Sequence, residues 1–252
     1  MRRAVGIVGR GRIACALLDD PSVATAERAG TYIIDTTPDE CTEAVGSLQP
    51  FLTGEEISVV TAVPGLSLTE LRQMVGPGPV LFRAVARAGS EKGGGVIVVC
   101  PEQGRATDVP AAVVELLEIA GSVEVVAEEM LGMAAAVVDA AADSVLLAMK
   151  GMEEGAVQAG LTRSTAEALV RQTALATAVL LADHPGSPAD LKDQVASPGG
   201  TTISGLAALE ERAVRGVFIK AVLRAAGKEP ATRAAGGVTV TEIVGDDAHG
   251  HT

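Results

Sequence analysis

Ala4-Val5-Gly6-Ile7-Val8-Gly9-Arg10-Gly11-Arg12-Ile13-Ala14 joins an apolar run to a glycine turn and the start of a helix. Ala4 to Val8 reads as a buried strand, and the helix runs to about Leu18. Strand, then Gly9-x-Gly11-x-x-Ala14, then helix is the dinucleotide-binding fingerprint in its proper context. Gly9 permits the tight turn, Gly11 lets a pyrophosphate approach the backbone, and Ala14 lets helix and sheet pack closely. Arg10 and Arg12 add positive charge to the phosphate grip.

Working outward, short strands alternate with helices. Strands are expected at 32–35, 57–62, 79–84, 95–100 and 122–126, and helices at 40–52, 68–75 and 109–120. That alternation predicts a parallel α/β sheet. From Glu128 the pattern turns all-helical: a long Ala-rich helix over 128–158 with Gly151 as its candidate kink, then helices over 164–182, 188–195 and 203–226. The expected fold is a shortened Rossmann-like parallel sheet domain (1–126), an all-helical domain (127–231) and a C-terminal tail (232–252) with a disordered end. A long central helix in a small helical domain needs a partner chain to bury it.

Composition narrows the function. The chain has 252 residues, 48% of them hydrophobic, and its net charge of −12 argues against nucleic acid or an anionic membrane as a partner. Aromatic residues make up only 2%, so the core must be Ala, Val and Leu. Cys15, Cys41 and Cys100 are odd in number and lack CxxC spacing, which predicts a reducing compartment and no metal site. The histidines, His184, His249 and His251, are poorly placed for chemistry. No signal-peptide pattern or continuous apolar run of transmembrane length is read, so a cytoplasmic protein is expected.

Near the other end, Leu191-Lys192-Asp193-Gln194-Val195-Ala196-Ser197-Pro198-Gly199-Gly200-Thr201-Thr202-Ile203-Ser204-Gly205-Leu206 carries a second motif. A Pro-Gly-Gly turn bares backbone N–H groups, and two threonine hydroxyls follow at a helix N-terminus, where an anion is favoured. Ser197, Gly199, Gly200, Thr201 and Thr202 are therefore candidate ligands for a small carboxylate, with a plain helix cap as the simpler alternative. This run, with Leu209-Glu210, closely resembles the C-terminal signature of pyrroline-5-carboxylate reductases. The resemblance implies reduction of a cyclic imine with NADP or NAD as cofactor. It also implies a homodimer interlocked through the helical domain, with a higher oligomer as the alternative.

Other positions depart from that family. Tyr32 to Asp35 has two alignments. As the second Rossmann strand it would place Asp35 on the adenosine ribose, about 20 residues past the glycines. As a later family strand, with Thr37-Pro38 where the reductases have Lys-Pro, it brings the following elements into order. The second is favoured, and it implies that a βαβ segment with the adenosine-ribose pocket is missing. Thr36, Thr37 and Pro38 then join Gly9, Arg10, Gly11, Arg12 and Ala14 as cofactor-binding candidates. Arg83-Ala84-Val85-Ala86-Arg87 keeps only the arginine of the family's Arg-x-Met-Pro-Asn run. Where the family has Ser-Gly-Ser-Gly-Pro-Ala-Tyr, this chain has continuous helix with Asp139 and Asp143. These acids are four apart and share a helix face with Lys150. If buried they would serve as proton donors or acceptors, and all three are the catalytic candidates; a solvated ion-paired stripe is the alternative. Three functions are open: a divergent NAD(P)H-dependent reductase of a small cyclic imine or amino acid, a non-redox enzyme on the same fold, and a non-catalytic dimeric scaffold.

Overall fold

The structure is a computed structural model that describes residues 3–53, 56–87, 89–102, 109–182, 186–187, 190 and 201–228. It divides into two compact units, residues 1–143 and 144–252. The helical pattern begins at Glu128, as read from the sequence, but the first unit runs on to Asp143 because Leu131 and Ala135 on that helix are buried.

In the first unit seven strands form one sheet in the order β2-β1-β3-β4-β5-β6-β7. They are β1 (Arg3–Gly9), β2 (Val23–Thr25), β3 (Thr31–Asp35), β4 (Ser58–Thr61), β5 (Val80–Ala86), β6 (Gly95–Pro101) and β7 (Gly121–Val125). All neighbours are parallel except β5 and β6. The strands are continuous apolar runs because both faces are covered. Side chains alternate between the two faces. Tyr32, Ile34, Val59, Leu81 and Val98 pack with helices α2 (Cys41–Leu48) and α3 (Leu68–Val75). Ile33, Val60, Phe82, Ile97 and Val99 pack with α1 (Arg12–Asp19) and α4 (Ala111–Leu117).

The sheet order decides between the two alignments of Tyr32–Asp35. β1 pairs with β2 on one side and with β3 on the other. The second-strand position of a Rossmann half thus belongs to three residues, Val23–Thr25, a strand that the sequence analysis does not contain. Asp35 lies across β1 from it, beside Gly9 in the strand register. In the usual order a third strand would lie outside the second; here β2 is the edge. A short connection returns to β3 and is pinned by the phenol of Tyr32, which donates to Glu27 O at 3.0 Å and accepts from Ala29 N at 3.1 Å.

The second unit is helical. α5 (Glu128–Gln158) is one continuous helix, followed by α6 (Arg163–Ala182), α7 (Thr201–Glu211) and α8 (Val214–Ala225). A single helix over 203–226 was expected. It is broken at Ala213, whose φ of 51° is left-handed. Of the short helix expected over 188–195 only Asp190 is described; it is helical and exchanges cap bonds with Ser187. The rest of the short helix, His184 and the tail over 232–252 lie outside the described residues. By length and composition α5 is apolar enough to cross a membrane. The expectation of no apolar run of transmembrane length is corrected here: Asp139 and Asp143 lie within α5, yet its length and mean hydropathy suffice.

Candidate functional site

The carboxyl ends of β1, β3, β4 and β5 enclose a cleft of about 630 Å3. Open α/β sheets place ligands at this edge, where the strand order reverses. Here the reversal lies between β1 and β3. The walls carry Arg10, Gly11 and Arg12 from the glycine turn, and Asp35, Thr36, Thr37 and Glu40 from the end of β3 and the turn after it. Ala62 to Gly65 follow β4, and Arg83, Val85, Ala86 and Arg87 come from β5 and its exit. Leu131, Gly132 and Ala135 close it from the first turns of α5.

Five of the eight cofactor candidates line this cleft: Arg10, Gly11, Arg12, Thr36 and Thr37. Gly9, Ala14 and Pro38 do not. Gly9 makes the turn at φ 106°, Ala14 is fully buried on the inner face of α1, and Pro38 starts a 3-10 turn.

The amides that the fingerprint offers to a pyrophosphate are engaged by the protein itself. A helix N-terminus leaves its first N–H groups without partners inside the helix. Ile13 N and Ala14 N donate to Asp35 Oδ2 at 2.9 and 3.0 Å. Gly11 N donates to the Asp35 carbonyl at 2.9 Å. A Cβ on Gly11 would collide with the Asp35 carboxylate, so the glycine that normally admits a phosphate here admits a side chain. Asp35 is buried. Burial pushes its carboxyl above the usual range, and the Ala14 and Ile13 amides pull it partly back.

The residues present therefore do not fit a dinucleotide in its usual place. The helix amides hold an internal anion, and among the described residues no strand lies outside β2 to help frame the adenosine half. Sequence reading took Asp35 for a ribose ligand or a mere strand end. Its partner could be found only from topology, which puts it beside Gly9.

The catalytic candidates separate. Asp139 meets Arg87, with Oδ1 3.0 Å from Nε. The charges pair, but the N–H direction makes no hydrogen bond, and Arg87 Nε is buried without an acceptor among the described residues. Asp139 and Asp143 are both exposed in the single chain. Lys150 belongs to the second unit, where it lies 3.8 Å from Glu154. Ser197, Gly199 and Gly200 lie outside the described residues, while Thr201 and Thr202 begin α7. Arg87 had no assigned role in the sequence reading. Its signal was the spacing of Arg83, Val85 and Arg87, which alternate along an extended segment and so share a face. Among the described residues the three cysteines are free and no metal-binding cluster occurs. Burial pushes the Cys100 thiol up to about 11, which leaves it inert near neutrality.

Residues 128–231 match the pyrroline-5-carboxylate reductase dimerisation family. A pyrroline-5-carboxylate reductase of Synechocystis is 33% identical over 164 residues, covering 65% of this chain and 61% of that protein. Pyrroline-5-carboxylate reductase 3 of Macaca fascicularis is 30% identical over 190 residues, 75% of this chain and 69% of that protein. The chain belongs to the pyrroline-5-carboxylate reductase family. Its fold is that of the reductases too. The Coxiella burnetii enzyme superposes with a TM-score of 0.78 at 22% identity, over 90% of this chain and 97% of that one. The Plasmodium falciparum enzyme with NADP bound gives 0.65 at 20% identity, over 90% and 96%. The match to the Synechocystis reductase spans 61% of that protein's length. The family start at residue 128 coincides with the onset of the helical pattern.

Proposed function

We propose that this protein acts on a small cyclic imine or cyclic amino acid bearing a carboxylate, and does so without a dinucleotide lying across α1. It would be a non-redox member of a reductase family. The observation that carries this reading is the Asp35 carboxylate on the amides of Ile13 and Ala14. A bound pyrophosphate would have to expel a buried, hydrogen-bonded carboxylate or share the seat with a like charge.

The chemistry left open is proton transfer. A carboxylate takes a proton from a ring carbon beside C=N and the proton returns at another ring atom. The double bond migrates and no electrons are gained or lost. Asp139, paired with Arg87, which lines the cleft, is the proton carrier, with Asp143 one turn further along α5. The working unit is a homodimer built through the helical domain.

The reductase reading has one specific observation in its favour. Gly9, Gly11 and Ala14 keep the strand–turn–helix context of the fingerprint, and the cleft lies where a dinucleotide would lie. In that reading NADPH or NADH supplies hydride to C=N; the relatives are named reductases, and the Plasmodium falciparum structure holds NADP. Titration of NADH and NADPH followed by their own fluorescence separates the two, and the absence of Trp keeps the background low. No binding at millimolar cofactor is expected. Micromolar binding of either would overturn the non-redox reading and restore the reductase.

A further inference from the structure

We propose that Glu128 is a positioning residue: its carboxylate ties the first turn of α5 to the N-terminus of α3 and so fixes the wall that α5 gives to the cleft. The tie is independent of whether a dinucleotide binds. The two acids that open α5 are not equivalent, since Glu129 is exposed and Glu128 is half-buried. Leu68 N, at the first position of α3, has no partner inside its own helix. It donates to Glu128 Oε1 at 2.9 Å, between residues 60 apart in the chain. A half-buried carboxylate is costly alone. Here one charge meets a backbone amide and stands at the positive ends of two helices, α3 and α5.

Both partners of this bond lead into the cleft. α3 follows the turn over 62–65, which lines it, and Ser67 closes that turn by accepting from Glu70 N at 3.2 Å. α5 brings Leu131 and Ala135, both buried and both in the cleft wall. At 3.6 residues per turn, Glu128, Leu131, Ala135 and Asp139 fall within about 80° of one another, so one stripe of α5 faces the sheet. The stripe is apolar in the middle and polar at its ends, where Glu128 holds Leu68 N and Asp139 pairs with Arg87. Releasing the first contact frees the turn that carries Leu131 and loosens the placing of Asp139 three turns on. Leu68, Leu131, Cys41 and Cys100 share one buried cluster. Cys100 feels the Glu128 charge, which after burial is the next cause pushing its thiol up. Cys100 therefore reports on the α5 end of the cluster, and Cys41, on α2, reports on the rest.

Iodoacetamide labelling of the folded full chain, read by peptide mass spectrometry, tests the tie in the wild type, Glu128→Ala, Glu128→Asp and Glu128→Gln. Glu128→Asp keeps the charge and shortens the reach. Glu128→Gln keeps the reach and an acceptor oxygen but loses the charge. In Glu128→Ala and Glu128→Asp the labelling rate of Cys100 relative to Cys41 is expected to rise about tenfold, as local opening follows the loss of one charge-assisted hydrogen bond. Glu128→Gln is expected to keep the ratio within about threefold of wild type. Cys15, half-buried in α1, checks that the reagent is equally active in every sample. If both buried cysteines speed up together, Glu128 contributes only general stability and the positioning role is overturned. An unchanged ratio in Glu128→Asp, or a Glu128→Gln as loose as Glu128→Asp, overturns it too. An acid suits the first turn of a helix, so Glu128→Asp decides even if Glu128→Ala folds poorly.

Discussion

At the scale of single residues, Asp35 couples charge to stability. A buried carboxyl whose value is raised in the fold holds its proton more tightly there than in the unfolded chain. Between the ordinary carboxylate value and the raised one, the native state binds the extra proton. Stability contributed by this group is therefore present at low pH and falls as pH rises through that window. Asp35→Asn keeps an oxygen for the Ile13 and Ala14 amides but cannot ionise. The variant's melting temperature, measured against wild type from about pH 3.5 to about pH 6.5, is expected to gain on the wild type as pH rises. Parallel curves would mean that Asp35 titrates normally. A gap of opposite slope would mean that the helix amides outweigh burial and hold the carboxylate below its usual value. Gly11 belongs to the same device, since any side chain there meets Asp35. The sequence displays Gly11 as a phosphate glycine, and nothing local in it reveals that the anion comes from position 35.

At the scale of elements, the sheet was legible wherever apolar runs were long enough to be covered on both faces. Tyr32 to Asp35, Val59 to Thr61 and Ile97 to Cys100 read as strands because their side chains are buried on alternate sides. Val23–Thr25 was missed for the converse reason. It is a three-residue edge strand with one neighbour, and its side chains are half-buried or exposed. Capping signals also carry information: Ser67 and Glu70 form a reciprocal cap at the start of α3, where the sequence placed that helix. The break between α7 and α8 had no such mark. Ala213 adopts φ 51°, a conformation that suits glycine, and alanine ordinarily favours helix. The penalty for an L-residue in that region is about 1–2 kcal/mol. Ala213→Gly removes it, partly offset by the greater freedom of glycine in the unfolded chain, so a stabilisation of about 0.5–1 kcal/mol is expected. Urea unfolding measures it, and a loss of about 1 kcal/mol would show that the helix runs through this position.

At the scale of the whole molecule, the two units differ in what they bury. The α/β unit has a complete core on both faces of its sheet. Among the described residues of 144–252 only Ala166 is fully buried. Leu146, Leu147, Leu175 and Val217 are exposed by 63%, 73%, 58% and 60% in the single chain. Apolar helices with so little core of their own need another surface, and the match of residues 128–231 to a dimerisation family makes a second copy the surface we propose. The long Ala-rich helix already suggested this in the sequence, whereas the size of the uncovered face needed coordinates. Interfaces of this kind are large and apolar, and the protomer is often unstable without its partner. Light scattering should therefore give twice the 25.4 kDa chain mass, or a multiple of that, at micromolar concentration. Leu147→Glu and Leu175→Glu place a charge among these side chains, and at least one should yield monomer with a lower melting temperature. A wild type that stays at 25.4 kDa at about 50 µM, well above the dissociation constant of a stable interface, would refute the dimer. The apolar helices would then be covered by something other than this chain.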